Sequence, residues 1–137
     1  MNSYVVAVPT YNRVNEVINK TLETLKNGKI SKKHIYLFVA NKEQEKLYED
    51  AVPKTMYHKI VVGEKGIRNQ RKFISKYFPV NRYIVSIDDD VEELLMMHNA
   101  EKLVKINNSH APLYIKIYTI DSQVAKQIKL MLSCKRV

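Results

Sequence analysis

A chain of 137 residues, 45% of them hydrophobic, is long enough for one domain with a buried core and too short for two. The single cysteine excludes an internal disulfide, and no apolar run reaches the roughly 20 residues of a membrane span, so we expect a soluble cytoplasmic protein. The net charge of +9 favours a polyanionic partner, either a nucleic acid or a phosphorylated small molecule.

Apolar runs and helical patterns alternate along residues 3–87. Buried strands are predicted at residues 3–9, 34–40, 58–64 and 83–87. Between them, helices are predicted from residue 14 to a stop at Gly28, over residues 42–52 before Pro53, and from residue 67 to Pro79. The spacing also predicts the face that the third helix turns to the core, formed by Ile67, Arg71, Ile74, Tyr77 and Phe78.

Three strand–helix units in a row predict an α/β fold. The expected arrangement is a Rossmann-like, three-layer structure with a mostly parallel sheet and helices on both of its faces. Ligands bind such sheets beyond the carboxyl ends of the strands. The unusual residues of this chain stand at those positions: residues 10–13, Asn41, residues 63–66 and the run Asp88-Asp89-Asp90.

The pattern is weaker after residue 90. Residues 91–103 are predicted as a helix, residues 113–120 as a fifth strand, and residues 122–133 as a last helix that Asp121 caps. We expect the whole chain, residues 1–137, to form a single domain.

The three consecutive aspartates follow the fourth predicted strand, where their carboxylates repel one another. Alternate residues of a strand share a face, so Asp88 and Asp90 are expected on one side and Asp89 on the other. Two carboxylates at a strand end form a hard oxygen site for Mg²⁺ or Mn²⁺, and the cation removes the repulsion. The alternative is a capping box, because Asp90 precedes Glu93 by three residues at the start of a predicted helix.

A cluster of basic residues at the start of the third predicted helix points to a phosphorylated ligand. Lys65, Arg68, Arg71 and Lys72 crowd the first turns of the third helix, where cations oppose the helix dipole unless an anion binds. Gly63 and Gly66 would let the backbone approach that anion, and the alternative is a solvated basic face.

The segment VPTYNR, residues 8–13, can be interpreted in two ways. Tyr11 could stack on a base and Arg13 could pair with a phosphate. The alternative is a turn before the first helix, with Thr10 or Asn12 as its cap.

The order of YVVAVPTYNR, GEKGIRNQRKFI and YIVSIDDDV resembles the nucleotide-sugar-binding half of a GT-A fold glycosyltransferase of the family 2 type. The GIRN piece is similar to the Gly…Ala-Arg-Asn segment of that family, and DDD is similar to its DXD metal motif. The closest type is the phage and viral glycosyltransferases that decorate modified DNA bases. Residues 1–95 would be the donor half, and residues 96–137 a short acceptor-side or remnant half.

The resemblance implies roles at the matching positions. Pro9, Tyr11 and Arg13 would line the nucleotide pocket, Arg68 would reach the nucleotide or its diphosphate, and Asp88 would lie near the ribose. Asp90, with Asp88, would hold Mn²⁺ or Mg²⁺ against the diphosphate, where the metal acts as a Lewis acid. The remaining expected donor-site residues are Gly66, Asp89 and Asn41, the last standing where the family usually has an acidic residue that reads the base.

The implied reaction moves a sugar from a nucleoside diphosphate sugar, most simply a UDP-sugar, to an acceptor hydroxyl. A nucleic-acid acceptor suits the charge, and a viral source would place the enzyme in the host cytoplasm. Only about 45 residues follow the aspartates, so Asp121 is the candidate general base, and a homodimer could complete the site. The alternatives are a non-catalytic nucleotide- or nucleic-acid-binding protein on a truncated GT-A fold, or a nucleotidyltransferase.

Overall fold

The computed structural model describes residues 4–80 and 82–93 with their side chains, and the backbone of residues 95–99, 102–105 and 127–128. The first four strands are β1 (Tyr4–Pro9), β2 (Ile35–Val39), β3 (Lys59–Val62) and β4 (Tyr83–Ser86). All of them lie within the predicted runs. Their apolar, β-branched residues are buried on both faces of the sheet, which is typical of parallel strands.

Three helices connect these strands. Helix α1 is continuous through the segments Val14–Glu16, Val17–Leu22 and Glu23–Asn27, of which the middle one is a π-helix. Helix α2 covers Lys42–Ala51 and helix α3 covers Ile67–Tyr77. A 3₁₀ turn at Lys32–His34 precedes β2. The predicted helices are therefore present, and Gly28 follows α1 as predicted.

The sheet is parallel, with strand order β3-β2-β1-β4-β7, where β7 is the two-residue strand Gln127–Ile128. One face of the sheet packs against α1 and α2 through a cluster that includes Val8, Leu22 and Tyr48. The opposite face packs against α3 through a second cluster that includes Phe38 and Ile74. This confirms the predicted Rossmann-like α/β arrangement with helices on both faces.

The inner face of α3 differs from the prediction. Its buried residues are Gln70 and Ile74, whereas Ile67 is 53% exposed and Arg71 is exposed. The core-facing row starts at the polar Gln70, which an apolar pattern cannot register, so Ile67, Arg71 and the 36% exposed Tyr77 were wrongly placed in that row. As a result the first turn of α3 faces solvent beyond the end of β3.

The predicted helix at residues 91–103 is wrong. Residues 91–93 have no regular structure, and an antiparallel hairpin follows, made of β5 (Leu95–Asn99) and β6 (Lys102–Lys105). Leu, Met and Glu have good helix propensity, but strand pairing overrides this weak local preference. The predicted last helix is also contradicted at residues 127–128, which pair with β4. The predicted strand at 113–120 and Asp121 lie outside the described residues.

Candidate functional site

The ends of β1 and β4 lie side by side at the point where the order of the strands in the sheet reverses. Strands β2 and β3 lie on one side of β1, and the chain then crosses over to place β4 on the other side. The segments that leave β1 and β4 diverge at this point, which is where open α/β sheets bind ligands. A cavity of about 540 Å³ opens there, a volume typical of small-molecule sites.

Charged groups of both signs line this cavity. They come from the turn after β1, the loop between β3 and α3, and the segment after β4, which we call the aspartate loop (residues 88–90). The charged lining residues are Arg13, Lys65, Arg71, Glu64, Asp88, Asp89 and Asp90. Four carboxylates thus face three cations, so the described lining is slightly acidic in a strongly basic protein.

Helix α1 anchors the backbone of the aspartate loop. The Thr21 hydroxyl donates to the Asp88 carbonyl at 2.6 Å and accepts from the Val91 amide at 3.0 Å. One turn later, the Thr24 hydroxyl lies 3.0 Å from the carbonyls of Val91 and Glu92. Thr21 belongs to the π-helical segment, and such widened turns are common beside functional sites. The loop is therefore positioned by hydrogen bonds to a packed helix.

Asp89 is the buried carboxylate of the loop, with 8% of its surface exposed. Thr10 donates a hydrogen bond to it at 2.8 Å, and the Tyr48 hydroxyl lies 2.6 Å from Thr10 Oγ1. The single hydroxyl hydrogen of Thr10 goes to the carboxylate, so Tyr48 must be the donor to Thr10. Burial raises the pKa of Asp89, and the hydrogen bonds from Thr10 and the charge of Arg13 oppose this rise.

Two arginines pair with the aspartates from opposite sides. Arg13 Nη1 lies 3.4 Å from Asp89 Oδ1 and 3.5 Å from Asp90 Oδ2. Arg71 Nη2, on α3, lies 3.2 Å from Asp88 Oδ1. The charge of Asp89 is the largest cause of a raised pKa at Arg13. Each carboxylate of the loop thus has a cationic partner.

The turn after β1 is held by helix α2. Asn12 has a φ of 50°, in the left-handed region that few residues other than glycine adopt. Its amide donates to Gln44 Oε1 at 2.9 Å, and Gln44 Nε2 donates back to Asn12 Oδ1 at 2.6 Å. The Arg13 amide donates to the Tyr48 hydroxyl at 3.0 Å. These bonds compensate the strained conformation and orient Arg13 toward the cavity.

The loop between β3 and α3 depends on Gln70, which is 4% exposed. Its side chain accepts from the Glu64 amide at 2.8 Å and donates to the Val39 carbonyl at 3.1 Å. A Cβ on Gly63 would overlap Gln70 Oε1 and lie 2.8 Å from Phe73 Cδ1. Gly66 precedes α3 with a φ of 87°, and no side chain caps it. The amino end of α3 is therefore open toward the cavity.

A family model that describes TET-associated glycosyltransferases matches residues 4–131. The chain belongs to this family. Neither a curated protein nor a solved structure matches the chain significantly. The protein is thus a glycosyltransferase, as predicted, and family membership favours sugar transfer over nucleotidyl transfer or binding without turnover. Within the described part of the chain, no helix is long and apolar enough to cross a membrane.

The structure of this TET-associated glycosyltransferase gathers most of the predicted donor-site residues at one cavity. The predicted residues that line it are Pro9, Tyr11, Arg13, Gly66, Asp88, Asp89 and Asp90. Asn41 and Arg68 are not among the lining residues. The side chain of Asn41 instead caps α2 by accepting from the Gln44 amide at 2.9 Å. Asp121 lies outside the described residues, so its role as general base stays a prediction.

Both capping alternatives are wrong. Residues 91–93 have no regular structure and residues 95–99 form a strand, so Asp90 and Glu93 cannot form a capping box at this point of the chain. The residue before α1 is Arg13, and no side chain caps that helix, because Thr10 and Asn12 bond to Tyr48, Asp89 and Gln44 instead. The strand alternation assumed for the aspartates also fails, because β4 ends at Ser86 and residues 89 and 90 form a turn.

Several site residues were missed by the sequence analysis. Gln70 lines the cavity, Thr21 holds the backbone of the aspartate loop, and Tyr48 holds Thr10, which donates to Asp89. Glu64, within the predicted segment 63–66, also lines the cavity. A signal was present in the helical patterns: Thr21 and Gln70 are polar residues on otherwise buried helix faces. Such residues are buried only when they are hydrogen-bonded, so their position indicates a polar partner nearby.

The aspartate loop fits a divalent cation in its donor chemistry. In the part of the chain that the structure describes, no three His, Cys, Asp or Glu side chains group as a metal site. However, Mg²⁺ is commonly bound by one or two carboxylates together with phosphates of the substrate. Asp88 and Asp90 supply two such carboxylates, whose side chains are 46% and 31% exposed. Asp89 is already occupied by Thr10 and Arg13.

Proposed function

We propose that the protein transfers a sugar from a nucleoside diphosphate sugar to an acceptor hydroxyl, on a modified base of a nucleic acid. The observation that carries this proposal is the cavity at the reversal point of the sheet, where the aspartates that follow β4 face the open, basic end of α3. This pairing suits a diphosphate with its cation better than any neutral ligand. Membership of a glycosyltransferase family makes the diphosphate part of a sugar donor.

The amino end of α3 supports the diphosphate. Its first backbone amides have no side-chain cap, and free amides at a helix start attract anions. Gly66 allows a ligand to approach the backbone there, because nothing closer than 4.0 Å surrounds the position that a Cβ would take. Lys65 and Arg71 line the same wall and add two positive charges.

Asp88 and Asp90 would hold the divalent cation. When bound, Mn²⁺ or Mg²⁺ stabilises the negative charge that grows on the departing diphosphate. The residues of the chain prepare this position, because Thr21 fixes the backbone of the loop and Arg13 balances the charge of Asp89. As the acceptor oxygen bonds to the anomeric carbon, the bond to the diphosphate breaks and the hydroxyl proton passes to a base. Asp121 is the candidate for that base.

Tyr11 supports a nucleoside beside the diphosphate. Its ring is 45% exposed at the cavity, and Lys65 Nζ lies 5.8 Å from the ring centroid. An exposed aromatic ring beside a cationic group can stack on a base and leave the cation for the adjacent phosphate. Pro9 and Thr10 form the floor next to Tyr11.

The surface charge supports a nucleic-acid acceptor. The segments 26–34 and 53–59 contain six lysines and no carboxylate: Lys26, Lys29, Lys32, Lys33, Lys54 and Lys59. Lys32 Nζ donates to the Lys54 carbonyl at 3.4 Å, so the two segments adjoin. We call these two segments the lysine edge. In a protein with a net charge of +9, this surface would attract a phosphate backbone.

The donor is tested by calorimetric titration with UDP, with and without Mn²⁺, on the wild-type chain and an Asp90→Asn variant. We expect binding that requires the metal and is lost or weakened at least tenfold in the variant. Other nucleoside diphosphates are titrated in parallel to identify the base. If no nucleoside diphosphate binds under any metal condition, the proposed donor is wrong.

The acceptor is tested with radiolabelled UDP-sugars and duplex DNA that contains cytosine, methylcytosine or hydroxymethylcytosine. We expect label to enter only the DNA whose modified base carries a hydroxyl. Binding of DNA should weaken in a Lys32→Gln/Lys33→Gln variant, whose salt dependence should become shallower by about one to two phosphate equivalents. A Lys42→Gln/Lys46→Gln variant, changed on a helix that also carries Glu43 and Glu45, is the matched control. Equal loss in both variants would argue against the lysine edge.

A further inference from the structure

Arg71 is the arginine of α3 that faces the aspartates. Its Nη2 lies 3.2 Å from Asp88 Oδ1, and both residues line the cavity. Arg68, one turn earlier on the same helix, does not line the cavity, although the family resemblance implied that it would reach the diphosphate. The difference follows from the orientation of α3, which turns Gln70 into the protein and carries the next residue to the cavity wall.

We propose that Arg71 is the diphosphate-binding arginine of the donor site, and that it reaches the diphosphate by leaving Asp88 when a divalent cation takes that carboxylate. This inference rests on the proposed function, because it assumes that the cavity receives a nucleoside diphosphate with its cation. Without the cation, the charge of Arg71 balances the carboxylate of Asp88. In the complex, it neutralises the ligand instead.

The Arg71–Asp88 pair is suited to such an exchange. The two side chains are 57% and 46% exposed, so water can solvate both partners during the change. An exposed ion pair contributes little to stability and is therefore easily replaced. An arginine presents a planar fork that binds phosphate oxygens by two hydrogen bonds at once. Arg71 thus loses a weak partner and gains a better one.

Arg13 is less able to make this exchange. It contacts both Asp89 and Asp90, and the Tyr48 hydroxyl holds its backbone amide. When the cation takes Asp90, Arg13 still has Asp89 as a partner. The buried Asp89 has no other cationic partner among the contacts that the structure describes, so removing Arg13 would leave its charge unbalanced. Arg71 has no such second carboxylate among its described contacts.

The exchange couples the two ligands. The cation alone must compete with Arg71 for Asp88, and the diphosphate alone must compete with Asp88 for Arg71. When both bind, Asp88 contacts the cation and Arg71 contacts the diphosphate, so neither ligand has to displace an ion pair alone. The cation and the nucleotide should therefore tighten each other's binding, and by linkage the factor is the same in both directions. Without Arg71, this mutual effect becomes smaller.

The test measures binding of Mn²⁺ alone, UDP alone and UDP with Mn²⁺ by calorimetry, on the wild type, Arg71→Gln, Arg68→Gln and Lys76→Gln. In Arg71→Gln we expect Mn²⁺ alone to bind about two- to fivefold more tightly, because Asp88 is released. UDP with Mn²⁺ should bind roughly 10- to 100-fold more weakly, because a charge-assisted hydrogen bond is lost. Lys76→Gln removes an exposed charge from the last turn of the same helix, away from the cavity, and its binding should stay within twofold of the wild type.

A second variant tests the exchange from the other side. Asp88→Asn should bind Mn²⁺ more weakly but UDP without metal about two- to fivefold more tightly, because Arg71 is free. Opposite effects on two ligands cannot result from poor folding, which weakens both.

The outcomes separate this proposal from the proposed function. If the wild type binds UDP with Mn²⁺ and Arg71→Gln binds them equally well, this proposal fails while the proposed function stands. A loss confined to Arg68→Gln would identify that residue as the anion ligand and would equally overturn the proposal. If the wild type binds no nucleoside diphosphate, both fail.

Discussion

Replacing Tyr48 by Phe tests whether the hydrogen bonds beneath the aspartate loop hold the site together. The Tyr48 ring is fully buried, and its hydroxyl donates to Thr10 Oγ1 at 2.6 Å and accepts from the Arg13 amide at 3.0 Å. Phenylalanine fills the same space apart from the oxygen, so packing is conserved. The substitution therefore isolates the two hydrogen bonds.

The expected loss in the free energy of unfolding is about 2 kcal/mol. A buried neutral hydrogen bond contributes about 0.5–1.5 kcal/mol, and the Arg13 amide left without its partner costs about 1 kcal/mol more. For a domain of this size, each kcal/mol corresponds to roughly 3–4 °C, so the melting temperature should fall by about 6–8 °C. Donor binding should weaken as well, because Thr10 and Arg13 both contact Asp89.

Urea denaturation and calorimetric melting of the wild type and Tyr48→Phe measure this loss. Tyr77→Phe is the matched control, because the Tyr77 hydroxyl lies at the surface and accepts from Lys59 Nζ at 3.4 Å. The control should change the free energy of unfolding by less than about 0.5 kcal/mol. A Tyr48→Phe protein as stable as the control would refute the idea that this hydroxyl supports the site.

Three further substitutions test other parts of the site. Thr21→Val, which keeps the side-chain shape but removes the hydroxyl between the carbonyl and amide groups of the aspartate loop, should cost about 1–3 kcal/mol in urea denaturation and weaken metal-dependent UDP binding. A loss of stability without any effect on UDP binding would mean that the loop keeps its position without Thr21. Gly63→Ala should lower the free energy of unfolding by about 2–4 kcal/mol, because the Cβ of the alanine overlaps the buried Gln70 amide. A Gly63→Ala/Gln70→Ala double variant should recover part of this loss, and additive losses would contradict the overlap. Asp89→Asn tests the raised pKa of Asp89. Because the folded state binds the Asp89 proton more tightly than the unfolded state, the free energy of unfolding of the wild type relative to the variant should fall as the pH rises from about 4. A relative free energy of unfolding that rises with pH would show that the pKa is lowered instead.

The sequence predicted the sheet and the positions of its ligand-binding loops because those features depend on local patterns. Apolar runs such as VVAV and IYLFV, separated by charged helical segments, are typical of buried parallel strands. Right-handed crossovers between them then place the carboxyl ends of the strands at the same edge of the sheet. The order of the strands also places Thr10 and the aspartates next to each other. These predictions needed no knowledge of individual side-chain contacts.

The errors arose where long-range contacts outweigh local preference. Residues 91–103 contain good helix formers, yet residues 95–99 and 102–105 pair as a hairpin. Which of Arg68 and Arg71 lines the cavity depends on how α3 is rotated on the sheet, and the hydrogen bonds of the buried Gln70 amide hold that rotation. The π-helical segment that places Thr21 under the aspartate loop has no marker in the residue pattern.

The charge of the cavity explains why a basic protein concentrates acidic residues at one point. With Arg13, Lys65 and Arg71 present, the described carboxylates of the lining exceed the cations by only one, so a divalent cation would reverse the sign of the site. A nucleotide diphosphate would then meet a positive cavity, and it would meet a nearly neutral one without the metal. The lysine edge lies at the opposite ends of the strands, so it could attract a long polyanion to the protein, whereas the acceptor base itself must reach the cavity. The acidic loop and the basic surface would therefore act at different steps, the loop on the donor diphosphate and the lysines on the first attraction of the polyanion.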